Sequence, residues 1–134
     1  MKRLIYVFIL MLLVCCAGKE EGGIYPNILW ITIEDLSPML GVYGDSNATS
    51  PNLDAFAKKS IKYTNAFASA PVCSASRSCI ITGYYASSLG TQHLRSEVKI
   101  PEEIRPYPKY LRELGYYTTN NSKEDYNFID STIW

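Results

Sequence analysis

The chain has 134 residues, and its thirteen Lys and Arg balance thirteen Asp and Glu, while 47% of it is hydrophobic. With no basic run to track a phosphate backbone, nucleic acid is excluded as the expected partner. The four cysteines, Cys15, Cys16, Cys73 and Cys79, fall in the leader and in one short motif, which leaves no disulfide framework.

Lys2-Arg3 precedes an apolar run from Leu4 to Cys16. At about 13 residues it is too short for an ordinary membrane-spanning helix, and it reads as an export signal. Leu13-Val14-Cys15-Cys16 resembles a bacterial lipobox, with Cys16 as the lipidated residue because Val14 is too bulky to precede the modified cysteine. Residues 1–16 are therefore the expected signal, 17–25 a polar tether and 26–134 the folded portion. Acyl chains on one cysteine hold a protein firmly on a membrane. The expected location is periplasmic or on the cell surface, anchored to the membrane through a lipid on Cys16. A plain cleaved signal or an uncleaved anchor is the alternative.

Ile28 to Ile33 is a continuous apolar run rich in β-branched residues, which predicts a strand buried on both faces of a mainly parallel sheet. Glu34-Asp35 closes it. In open α/β sheets ligands gather beyond the carboxyl ends of strands, so two adjacent carboxylates there are candidates to bind a hard cation. A solvated loop pair is the ordinary alternative. Asn47-Ala48-Thr49 fits the glycosylation sequon, and the bacterial-type leader gives it no functional weight. Ser50 as N-cap and Pro51 at the first position open a helix whose expected buried face is Leu53, Phe56 and Ala57. Ile61 to Phe67 reads as a second strand.

Pro71 stops the preceding segment and Ser74 to Thr82 reads as a helix, which leaves Cys73 at its N-terminus, where a negative group is favoured. Arg77 follows four residues later, about 40° round at roughly 100° per residue, so thiol and guanidinium share one face. That makes Cys73 a candidate nucleophile or modification site. Thiolate phosphatases need a longer loop, about five residues between cysteine and arginine, to cradle a phosphate, which disfavours that chemistry. A half-buried cysteine in a helix cap is the other alternative. Cys79 lies about 600° further round the helix than Cys73, on a different face, so no disulfide is expected and Cys79 reads as a small core residue.

His93, the only histidine, follows this helix and its connecting loop, and is a candidate for binding substrate or protonating a leaving group. Pro108 to Leu114 predicts a further helix ended by Gly115. Tyr116 to Asn120 then reads as a strand, completing the alternation of an α/β sheet. Lys123 comes after that strand as a mobile point charge or an ordinary surface lysine.

Cys73-x-Ala75-Ser76-Arg77 with Thr82-Gly83 resembles the signature of the type I sulfatases, and Ala75 stands where proline is commoner. Asn27 to Asp35, then Ser50-Pro51-Asn52-Leu53-Asp54, then Asn65-Ala66-Phe67 follow the order and spacing of the N-terminal half of that family. The resemblance covers about residues 26 to 125. It implies the N-terminal part of an alkaline-phosphatase-like α/β/α sandwich with a mainly parallel sheet. Complete sulfatases are several times longer, so a fragment, inactive alone, is expected.

The resemblance also implies chemistry. A maturation enzyme would convert Cys73 to formylglycine, whose hydrate attacks sulfur in a sulfate ester or sulfamate. Arg77 would hold that hydrate, and Lys123 would contact the transferred sulfate. A divalent metal, calcium in most relatives, would be bound by Glu34, Asp35 and the modified Cys73. Family members usually carry two aspartates where Glu34-Asp35 stands, and often a histidine where Asp125 stands. The implied substrate is a sulfated carbohydrate. Alternatives are a phosphate or phosphonate ester hydrolase of the same superfamily, and a non-catalytic sugar-binding lipoprotein derived from a sulfatase.

Overall fold

The structure is a computed structural model and describes residues 25–134. The expected signal, the lipidation site at Cys16 and all of the tether but Tyr25 lie outside the described residues. The chain divides into two units after Thr32. Of the first, residues 25–32 are described, all exposed and none in a helix or strand.

The second unit, Ile33–Trp134, holds helices α1 (Pro51–Ala57), α2 (Cys73–Thr82), α3 (Ala86–Leu89) and α4 (Tyr107–Glu113), preceded by a 3-10 turn at Gly41–Tyr43. Pro51 starts α1 as expected, since its ring presets a helical φ and its missing N–H would have had no partner there. Ser50 does not cap the helix with its side chain. Its hydroxyl instead accepts from the Gly41 N–H at 3.0 Å and donates to Asp54 Oδ1 at 3.1 Å, while the Val42 N–H also donates to Asp54 Oδ1 at 2.7 Å. The start of α1 is thus tied to the 3-10 turn. A Cβ on Gly41 would stand 2.5 Å from Asp54 Oδ2, so a larger residue there would displace the Asp54 carboxylate that ties the turn to α1. The expected buried face of α1 is corrected: no residue of it is buried, and Leu53 and Phe56 are both exposed, because the helix packs only against the turn.

Helix α2 is the centre of the unit, and three of its faces are occupied. Ala75 and Cys79 pack with Ala86 of α3, flanked by Ala70 and Val72. Ile81 faces the other way, into a cluster with Phe128 and Ile133 that Ile100, Tyr107, Tyr126 and Trp134 surround. Between them runs a buried row of hydroxyls one turn apart. Ser78 Oγ donates to the Ser74 carbonyl at 2.8 Å and Thr82 Oγ1 to the Ser78 carbonyl at 2.6 Å, the back-bonding that lets Ser and Thr sit inside a helix without an orphaned proton. Gly83 ends the helix at φ 76°, and its N–H closes on the Cys79 carbonyl, as the Thr-Gly pair predicts. Cys73 and Cys79 are both free, in accord with their different faces. Helix α4 begins one residue earlier than predicted, and Gly115 follows at φ 89°.

The three expected strands are a correction. Among the described residues there is no strand, only an isolated parallel bridge between Val98 and Phe128. Ile28 to Ile33, read as buried on both faces, is exposed throughout, with Leu29 84% accessible. Ile61, Tyr63 and Phe67 are exposed as well. Tyr116 to Asn120 alternates half-buried and exposed side chains, so it keeps the period of a strand without belonging to one. Apolar β-branched sequence favours an extended backbone, but a strand exists only in a ladder supplied by a distant segment. Among the described residues no helix is long and apolar enough to cross a membrane.

Candidate active site

Helix α2 opens at Cys73, with Val72 in extended conformation as its N-cap, and Cys73 is half-buried. One turn on, Arg77 reaches two elements far away in sequence. Its Nη1 donates to the Lys123 carbonyl at 3.0 Å, and its Nε lies 3.4 Å from Glu34 Oε1. Lys123 Nζ donates to the same Glu34 oxygen at 2.7 Å and pairs with Asp125 Oδ2 at 3.2 Å. The Cys73 thiol donates to that Asp125 oxygen at 3.4 Å, and Arg95 Nε stands 3.7 Å from Asp125 Oδ1. Glu34, Cys73, Arg77 and Lys123 therefore meet in one cluster, with Asp125 joining Cys73 to Lys123. Asp35 follows Glu34 at φ 54°, a left-handed conformation that costs a non-glycine residue about 1 kcal/mol or more.

Charge within the cluster is coupled. The hydrogen bond from Lys123 is the main cause that holds the Glu34 carboxyl below the usual carboxylate range, with Arg77 adding to it. The same bond, with a second to Asp125, raises Lys123. For Asp125 burial pushes upward, but the bonds from Lys123 and then Cys73 outweigh it and the net shift is downward. Three cations, Arg77, Lys123 and Arg95, thus stand against two carboxylates around the thiol. An anionic group entering here would meet a surplus of positive charge and competition from Glu34 and Asp125.

The loop carrying Lys123 and Asp125 is held on α2 by Asn127, which is completely buried. Its backbone N–H donates to Ser78 Oγ at 2.9 Å, its Nδ2 donates to the Thr91 carbonyl at 2.7 Å and to the His93 carbonyl, and its Oδ1 accepts from the Ser96 N–H at 3.2 Å. Ser74 Oγ accepts from the Arg95 N–H at 3.3 Å. The hydroxyl row of α2 is therefore the dock on which both the 91–96 loop and the 123–128 segment rest. His93 is held through its carbonyl, and its imidazole is exposed and joins none of the ion pairs of the cluster. Arg95, Asn127, Ser74 and Ser78 carry no signal in the linear sequence beyond the small hydroxyls at helical spacing on α2, and Asp125 is marked only by standing where the family pattern often has a histidine.

The described residues contain no group of three or more His, Cys, Asp or Glu that could hold a metal ion. Glu34 and Asp35 have the oxygen chemistry a hard cation takes, but such a cation needs about six oxygen ligands, and Glu34 Oε1 already serves two cations. By themselves these residues do not make a metal site.

A match to the Sulfatase family model spans residues 26–133. The chain is 33% identical to an ulvan-active sulfatase of Formosa agariphila over 98% of its own length and 27% of the relative's. It is 37% identical to the iduronate 2-sulfatase of Mus musculus over 72% of its length and 18% of the relative's, and 31% identical to the arylsulfatase D of Homo sapiens over 85% and 21%. The chain thus spans about a quarter or less of the length of these relatives. No solved structure matches it. The match over nearly all the described residues implies an alkaline-phosphatase-like α/β fold, and the chain belongs to the sulfatase family.

Proposed function

We propose that Cys73 is converted to formylglycine and that this chain supplies the nucleophile end of a sulfatase site acting on a sulfated carbohydrate. The observation that carries the reading is the convergence of Arg77 and Lys123 on the start of α2, with Cys73 linked to Lys123 through Asp125. When present, the hydrated aldehyde would attack sulfur and expel the substrate's alcohol or amine, and sulfate would then leave as the carbonyl re-forms. Arg77, anchored by the Lys123 carbonyl and Glu34, holds a fixed planar charge one turn from that group. Lys123 bridges Glu34 and Asp125, and in this reading its ammonium would exchange a carboxylate partner for a sulfate oxygen. Both cations then stabilise charge where it develops.

Glu34, Asp35 and Cys73 as formylglycine are proposed as this chain's donors to a divalent cation such as calcium, which would neutralise charge on the sulfate. His93 is proposed only as a substrate contact from an exposed loop. Relatives named for iduronate and for N-acetylgalactosamine favour a sugar sulfate over other esters. Export and anchoring through Cys16 belong to the same proposal, as does a mainly parallel sheet in the family fold.

The test is mass spectrometry of the peptide containing Cys73 from the full chain made in a host with the maturation machinery. Conversion lowers the mass by about 18 daltons relative to cysteine. An unmodified thiol at Cys73 in that host overturns the reading. Matched sulfate and phosphate esters, offered to a longer parent enzyme, separate sulfuryl from phosphoryl transfer.

A further inference from the structure

The 91–96 loop is held more firmly than an exposed loop requires. The Thr91 N–H donates to the Ala86 carbonyl at 2.9 Å, the Arg95 N–H to Ser74 Oγ at 3.3 Å and the Ser96 N–H to Asn127 Oδ1 at 3.2 Å. Just beyond the loop, the Val98 N–H donates to the Asn127 carbonyl at 2.9 Å. Asn127 Nδ2 in turn donates to the Thr91 and His93 carbonyls. Arg95 itself stands at φ 51°, a left-handed conformation that a non-glycine residue keeps only when its surroundings dictate it. Ordering backbone in this way costs conformational entropy, yet little is buried in return: Thr91 is enclosed, while Gln92, His93, Leu94 and Arg95 are all exposed. Rigidly mounted loops are where binding residues collect, because a preorganised loop loses little freedom when its ligand arrives.

Arg95 is the member of this exposed row that adjoins the ion-pair cluster. Its Nε lies 3.7 Å from Asp125 Oδ1, an ion pair longer than a hydrogen bond, and its side chain is 69% exposed. Lys123 Nζ lies 3.2 Å from the other oxygen of that carboxylate, so one carboxylate separates the two cations. We propose that Arg95, presented by the 91–96 loop, determines specificity for a glycan with a second acidic group beside the sulfate, the carboxylate of a uronate sugar. A sugar whose sulfate takes Lys123 brings its neighbouring substituents to Arg95. The guanidinium fork matches a planar carboxylate with two parallel hydrogen bonds. Leu94 beside it, 60% exposed, offers an apolar surface to the C–H face of the ring. The choice of ligand rests on the sulfated-carbohydrate reading given above, whereas the loop and its cation are properties of this chain.

The test is a ligand-observed NMR titration of the full chain, with resistance of buried Cys79 to iodoacetamide reporting the fold of every variant. The probes are methyl β-D-glucuronide, methyl β-D-glucoside and methyl β-D-glucoside 6-sulfate. The parent is expected to bind the glucuronide about fivefold more tightly than the uncharged glucoside, the upper end for an exposed ion pair. Arg95→Gln should remove that preference while changing the affinity for the 6-sulfate by less than about twofold. Arg95→Lys, which keeps the charge without the fork, should recover less than half of it. A parent without the preference, a preference that survives Arg95→Gln, or an equal loss for the 6-sulfate overturns the proposal. Should Arg95→Gln expose Cys79, the parent decides: saturating glucuronide should slow phenylglyoxal modification of Arg95 by about threefold or more. No protection, or the same protection by acetate, which would mean an adventitious anion only, overturns it. No arm uses Cys73, so an unconverted Cys73 in a maturing host sinks sulfuryl transfer and leaves the uronate contact standing.

Discussion

Asn127 shows how much one buried polar side chain can organise. It is fully enclosed and donates to Ser78, Thr91 and His93 while accepting from Ser96. A buried donor left without a partner costs about 1–3 kcal/mol, and Asn127→Ala strands two carbonyls and one N–H at once. The expected outcome is a loss of about 2–4 kcal/mol in urea unfolding. The 123–128 segment would keep its backbone bond to Ser78 and lose its ties to the 91–96 loop. A stability unchanged within about 0.5 kcal/mol would show that the bonds are replaced by water.

At the scale of elements, the end of α2 and the docking of α4 make separate expectations. A Cβ on Gly83 meets no atom within 4 Å, yet the residue stands at φ 76°. Gly83→Ala should therefore cost about 1 kcal/mol through backbone conformation alone, with no repacking, measured as a shift of the thermal midpoint. Lys109 of α4 pairs with Asp130 at 2.5 Å, both side chains mostly covered. Burial pushes the Asp130 carboxyl up, but the bonds from Lys109 and then Thr132 prevail and lower it. A carboxyl lowered in the folded state contributes stability that is present above its unfolded pKa and is lost as pH falls through the folded one. Docking of residues 128–134 on α4 should accordingly persist to pH values below the ordinary carboxylate range and then fail. Tryptophan fluorescence of Trp134, which packs edge-on against Tyr107, reads this directly. In Asp130→Asn the acid step should vanish, with about 1–2 kcal/mol lost at neutral pH.

Across the whole molecule, the uncovered apolar side chains matter most. Leu29, Ile31, Ile61, Phe67 and Tyr117 are each at least two-thirds exposed. Apolar, β-branched segments without cover are templates for pairing between chains. The chain is expected to self-associate as its concentration rises, seen as a growing sedimentation coefficient. Ile31→Lys together with Phe67→Lys should lower it, because a charge on such a segment opposes stacking. A chain that stays monomeric across the accessible range would contradict this expectation.

From the linear chain alone, the helix after Pro71, its Gly83 stop, the helix at Pro51 and the one near Pro108 could all be read. Local rules decide each: a fixed proline φ, a glycine free to turn left-handed, and apolar spacing. The candidate residues Glu34, Cys73, Arg77 and Lys123 were legible too, because a helical turn relates Cys73 to Arg77 and the family pattern supplies the others. What local rules could not decide was pairing. Whether Ile28 to Ile33 or Ile61 to Phe67 becomes a strand depends on a partner segment, and whether Leu53 and Phe56 are buried depends on what lies against α1. Tertiary structure alone turned Asp125 toward Cys73 and made the hydroxyls of Ser74 and Ser78 a dock, since those contacts join residues 21 to 52 positions apart whose types carry no mark of one another.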